Sequence, residues 1–146
     1  MRASAAVVLL LAGFTFGCGP VPGGKLSGTE VPVPANWSET LRGSRGLCEV
    51  ESRPSHPHSI QVECFVDGQA LHAQSHRWAL ASWWPVQSWA EVWLEHPDVL
   101  VRIDGSIFML RAVPVEDGAE RTRILRQRGY RSPPPEGIVL FRFDPR

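Results

Sequence analysis

Two Asp-Gly dipeptides, Asp67-Gly68 and Asp104-Gly105, each fall between runs that read as β-strands, and they constrain the fold more than any other feature. Asp-Gly suits the type I′ turn, whose positive φ angles match the right-handed twist of two strands joined by a two-residue loop. One such turn joins Ile60 to Val66 with Gln69 to Ser75, and the other joins Val99 to Ile103 with Ser106 to Val115. Upstream, Cys48, Val50 and Ser52 alternate with Glu49, Glu51 and Arg53, and Ile60, Val62, Cys64 and Val66 alternate with Gln61, Glu63, Phe65 and Asp67. A period of two marks strands with one buried face. Between these runs, Pro54-Ser55-His56-Pro57-His58 reads as a turn, because proline has no N–H to give to a ladder. Consecutive tight hairpins favour an antiparallel sheet, since parallel neighbours need long crossovers.

Two helices interrupt the strands. Pro85 suits a first helical turn, and Val86, Trp89, Ala90 and Trp93 recur at helical spacing before Pro97 ends the pattern. Trp89 and Trp93 share the apolar face and are expected in the core. Asp117 suits an N-cap with Glu120 three residues on, and Gly129 suits the stop. Ile124 and Leu125 are that helix's main apolar residues, so Arg121, Arg123, Arg126 and Arg128 are expected to form a solvated face. After Pro133-Pro134-Pro135, Ile138 to Phe143 forms a last strand. The expected fold is mainly β with two helices, an α+β arrangement in which six antiparallel strands close into a barrel and so lose their exposed edges.

The N-terminus carries a different message. Arg2 precedes an uncharged run from Ala5 to Phe16 that passes through Val7, Val8, Leu9, Leu10 and Leu11. That order is the order of an export signal, and about twelve apolar residues fall short of the ~20 that span a bilayer. Thr15-Phe16-Gly17-Cys18 resembles the lipobox of bacterial lipoproteins, in which the cysteine is lipidated and becomes the mature N-terminus. Secretion with cleavage near Gly17 is the alternative, leaving a secreted or periplasmic protein in place of a membrane-anchored one. The expected organisation is a signal peptide over 1–18, a flexible Gly/Pro-rich tether over 19–36 and one domain over 37–146.

Fifteen Lys and Arg balance fifteen Asp and Glu, and removal of Arg2 tips the mature chain slightly negative, which argues against a nucleic-acid surface. With Cys18 assigned to lipid, Cys48 and Cys64 remain as an even pair in an oxidising compartment. A hairpin centred on His56 sets Cys48 opposite Cys64 but also sets Glu49 opposite Glu63, a like-charge pair that destabilises a sheet. A cross-strand disulfide and a buried reduced pair both remain open.

From Trp37 to Arg146 the chain resembles the pyridoxamine-phosphate-oxidase-like split β-barrel superfamily, including its flavin-binding and deazaflavin-binding, nitroreductase-like branch. The resemblance rests on Glu51-Ser52-Arg53-Pro54 before His58-Ser59-Ile60-Gln61-Val62, on His96-Pro97-Asp98-Val99 after a helix, on Val101-Arg102-Ile103-Asp104-Gly105, and on Arg111-Ala112-Val113-Pro114-Val115. It implies a homodimer with FMN or a deazaflavin at the interface. The phosphate would be held by Ser75, His76 and Arg77 at the end of the third strand, with Arg53 and Ser59 as further candidates. Guanidinium and hydroxyl groups suit phosphate oxygens. The chain departs from the superfamily at Trp78-Ala79-Leu80-Ala81-Ser82-Trp83-Trp84, where Trp84 and its neighbours could stack on a flavin ring, fill its groove or sit at a membrane surface.

The plainer reading of Ser75, His76 and Arg77 is a solvated strand end. His56 and His58 lack Cys or carboxylate partners at ligand spacing, so no metal site is expected. No nucleophile elbow, phosphate loop or dinucleotide fingerprint occurs, and no catalytic acid or base is evident. Two functions follow: a flavin- or deazaflavin-dependent oxidoreductase-like protein, or a cofactor-free extracytoplasmic binding lipoprotein that keeps the barrel as an interaction module.

Overall fold

A computed structural model describes residues 23–52, 55–76, 88–134 and 137–146. The elements run β1 (Thr29–Glu30), α1 (Trp37–Arg42), β2 (Leu47–Ser52), β3 (His58–Asp67), β4 (Ala70–His76), α2 (Trp89–Glu95), β5 (Asp98–Ile103), β6 (Ser106–Pro114), α3 (Gly118–Gln127) and β7 (Ile138–Pro145). Strands β2 to β7 are antiparallel in the order β6-β5-β2-β3-β4-β7, and a further β6–β7 pairing closes them into the six-stranded barrel. Inward residues of every strand fill it, among them Val50, Leu71, Val101, Leu110 and Phe141, each fully buried.

The two Asp-Gly sequences act differently. Ile103 pairs with Ser106, so Asp104 and Gly105 are the central turn residues, and both have positive φ, 47° and 80°. This is the type I′ turn. Asp67 instead pairs with Ala70, which moves the turn centre one residue on, to Gly68 and Gln69. Only Gly68 of those two has positive φ, 61°, the pattern of a type II′ turn. Freed from the turn centre, Asp67 accepts two bonds from Arg123 of α3, at 2.8 and 2.7 Å.

The first hairpin is displaced by two residues from the register centred on His56. Cys48 pairs with Val62, and Glu49 pairs with Gln61 on one side and Arg102 on the other. The like-charge pairing of Glu49 with Glu63 is thereby avoided, and Arg102 Nε donates to Glu49 at 2.6 Å. Cys48 and Cys64 are joined by a disulfide across the diagonal of this register, with Cα atoms 5.9 Å apart.

Three helices occur among the described residues, one more than the sequence pattern suggested. Helix α1 is short, with Trp37 and Leu41 four residues apart on its buried side and Asn36 as N-cap, its side chain accepting from Ser38 N at 3.0 Å. Helix α2 begins at a capping box in which Ser88 and Glu91 exchange bonds; the expected start at Pro85 lies outside the described residues. It carries Trp93 into the core against Phe141 and Phe143. Asp117 caps α3, whose Ile124 and Leu125 are buried.

Three of the four arginines expected on a solvated face reach partners on the barrel, while Arg126 is exposed. Arg123 grips Asp67, Arg128 pairs with Glu63 at 2.5 Å and lies 4.3 Å over the Phe65 ring, and Arg121 donates to the Ile138 carbonyl at 2.8 Å. Two apolar residues give α3 little hydrophobic hold, and these charged contacts to β3 and β7 supplement it.

The expected tether over 19–36 packs on the barrel from Gly23 onward. Gly23 and Ser59 exchange two backbone bonds, Gly23 N to Ser59 O at 2.7 Å and Ser59 N to Gly23 O at 3.0 Å. Leu26 is buried, and β1 pairs in parallel with β6 through Thr29–Ser106 and Glu30–Ile107. Val31 and Val33 then pack against the main core. The domain therefore takes in residues well before Trp37, because Leu26, Val31 and Val33 bring apolar surface that the Gly/Pro-rich composition masks.

Candidate functional site

The candidate site lies where β3 and β4 part. Among the described residues their ladder ends at Cys64–Ala73; beyond it Ser59 and Ile60 pair with β2, while Gln74, Ser75 and His76 pair with Leu140, Val139 and Ile138 of β7. The strands separate there, with Ser59 on β3 and Ser75 and His76 on β4. Alternation then decides what each side chain meets.

Ser75 follows Leu71 and Ala73 on the inner face of β4 and is 2% exposed, so its hydroxyl belongs to the barrel interior. Ser59 lies on the outer face of β3 opposite Glu51, and both are buried. The N-terminal segment runs beside them: the Leu26 amide donates to the Glu51 carboxylate, and Gly23 bridges Ser59 edge to edge through the backbone. A Cβ on Gly23 would come 2.6 Å from the Ser59 hydroxyl, so a side chain there would require that hydroxyl to rotate away. The segment continues as a strap. Arg102 Nη1 donates to the Ser27 carbonyl at 2.8 Å, and Thr29 and Val31 donate to the Gly105 and Ile107 carbonyls at 3.0 Å each.

A phosphate clamp needs reachable donors and positive charge. Of the expected ligands among the described residues, Ser75 faces the core and Ser59 is buried, with the Glu51 carboxylate opposite it. Neither serine offers a phosphate an open hydroxyl in this arrangement. His76 contributes a backbone pairing with Ile138, whereas Arg53, Arg77, Trp84 and the lipidation candidate Cys18 lie outside the described residues. The strap is the feature that sequence reasoning missed. Its visible signal was Leu26 together with the alternating Val31 and Val33.

Of the other concave regions among the described residues, two carry charged side chains next to β2. A cleft of about 290 Å³ at the opposite end is lined by Ser44, Gln61, Asp104 and the Arg102–Glu49 ion pair. A pocket of about 170 Å³ beside Glu51 is lined by Ser52, Asp98 and Arg146, the last two 3.6 Å apart. Neither presents a nucleophile beside a base. Among the described residues no three His, Cys, Asp or Glu groups converge to hold a metal.

One titratable group is buried without full satisfaction. His72, on the outer face of β4 beneath α3, is 1% exposed, stacks on Phe65 with centroids 5.6 Å apart and places Nδ1 3.1 Å from the Ala70 carbonyl. Its Nε2 has no partner. Burial pushes the imidazole pKa below its ordinary value; Arg142 acts in the same sense, while the Ala70 carbonyl, Asp67 and Glu120 oppose it. A histidine held neutral in the fold takes up its proton only on unfolding, so its contribution is present above the unfolded value near 6.5 and is lost as pH falls below it. Urea midpoints should therefore decline from pH 7.5 to 5, by no more than about 1.4 kcal/mol per pH unit for one proton. His72→Phe should flatten that slope; an equal slope in the variant would assign the loss to other groups.

Comparison with known proteins supports the architecture. A crystal structure from Listeria innocua, of a protein named for pyridoxamine 5'-phosphate oxidase, matches with a TM-score of 0.56 over 75% of this chain and 90% of that one, at 18% identity. At that identity the likeness is one of fold. No protein-family model matches the chain, and no relative is found among curated proteins. The split-barrel fold implied by the sequence is thus the fold observed.

Proposed function

We propose that this chain is an exported lipoprotein, anchored outside the cytoplasm through Cys18, whose split barrel serves as a cofactor-free binding or interaction module. The observation carrying this reading is the strap: the chain's own Gly23 and Leu26 engage Ser59 and Glu51, occupying a serine that the resemblance would give to a phosphate. Export is consistent with it, since flavin and deazaflavin chemistry draws on reductants of the cytoplasm. The Trp83-Trp84 connection is the proposed contact surface, for amphipathic indoles favour interfaces. Purified mature protein is expected to be colourless and to leave the fluorescence of added FMN or deazaflavin unchanged. Saturable quenching at one cofactor per chain would overturn this reading.

The second reading is a flavin- or deazaflavin-binding oxidoreductase-like homodimer. It is favoured by the fold shared with the Listeria innocua protein and by that protein's name. Here Arg53 and Arg77 would carry the phosphate, Trp84 would stack on the ring, and the cofactor would supply the hydride chemistry. The two readings part at the titration just described, and at Trp83→Ser with Trp84→Ser, which should weaken partner or membrane association in the first.

A further inference from the structure

We infer that the strap fixes how the barrel sits on its membrane, holding the end with the β2–β3 turn against the phospholipid headgroups. This rests on the reading of Cys18 as the lipidated residue. As a free tether, residues 19–36 would reach about 60 Å and let the domain tumble. The Gly23–Ser59 bridge ends that freedom early, because Gly23 is fastened by two backbone bonds to the second residue of β3. Only five residue steps then separate the anchor from the barrel, a span of at most about 17 Å.

Strand β3 has ten residues, so its far end at Asp67 lies about 30 Å from its start. A leash shorter than the barrel cannot let the barrel turn over. The headgroup-facing end exposes Lys25, His56 and His58, whose polar side chains suit phosphate-bearing lipids, and the Gly68-Gln69 turn is carried away from the bilayer. The partner is accordingly the surface of the anchoring membrane itself.

The test uses the full lipidated protein in phosphatidylethanolamine and phosphatidylglycerol vesicles with nitroxide on the headgroups. A fluorophore is placed on His56→Cys, on His58→Cys or on Gln69→Cys, all at exposed positions. Quenching at 56 and 58 is expected to exceed that at 69 by at least about threefold, given the ~30 Å between the two ends. Equal quenching in protein shown to carry fatty acid on Cys18 would overturn the orientation and leave the anchor standing. Absence of fatty acid, with Cys18→Ser behaving as the parent, would overturn the anchor and the orientation together. Leu26→Asp, which loosens the strap, should bring the ratio toward one; an unchanged ratio would show that the strap does not set the leash.

Discussion

Trp93→Ala should remove about 3–5 kcal/mol of unfolding free energy, the largest loss expected from any single substitution here. Trp93 is fully buried, and its ring meets Trp89 at 4.3 Å, Phe141 at 5.3 Å and Phe143 at 5.6 Å between centroids. Those contacts join α2 to β7, so truncation leaves a cavity between two elements that cannot close on each other without moving the barrel wall. The indole adds a second consideration, because its buried Nε1 has no acceptor. Trp93→Phe keeps an aromatic ring and deletes the unpartnered donor, so it should lose less than about 2 kcal/mol. Urea unfolding of the three proteins under non-reducing conditions measures both. Equal losses for Ala and Phe would mean that packing is not what Trp93 supplies.

Breaking the Cys48–Cys64 link should lower stability by about 3 kcal/mol, the loop-closure value for a separation of this size. The two residues are 16 apart and tie β2 to β3 around a Pro-containing turn. Cys48→Ala with Cys64→Ala should shift the urea midpoint as far as reductant shifts the parent, and reductant should then have no further effect on the variant. A parent indifferent to reductant would show that the link contributes nothing. The substitution also tests register, since the bond spans a diagonal and would resist any slip of the hairpin.

The barrel was legible in the sequence because its determinants are local. Period-two alternation in β2 and β3 and a true type I′ turn at Asp104-Gly105 each act over a few residues. The register of the first hairpin was not legible, because Glu49 is settled by Arg102, more than fifty residues away and on another strand. The same distance hid the role of α3's arginines, whose partners Asp67 and Glu63 lie on β3. Helix α1 is shorter than the windows in which periodicity shows, and its cap is the single residue Asn36. For the candidate site, residue type suggested phosphate ligands, but the inward turn of Ser75 and the burial of Ser59 are properties of packing.

The strap also decides how the molecule bears load. A pull from an anchor at Cys18 arrives first at the Gly23–Ser59 bridge, then at Leu26 on Glu51, then at Ser27 on Arg102, and last at the β1–β6 pairing. These attachments are met one after another, so each yields at low force, in the manner of a zip. The six closed strands behind them feel tension only once the strap has paid out. On the proposed anchoring at Cys18, the segment would thus act as a mechanical fuse, lengthening the connection under stress before the barrel is strained.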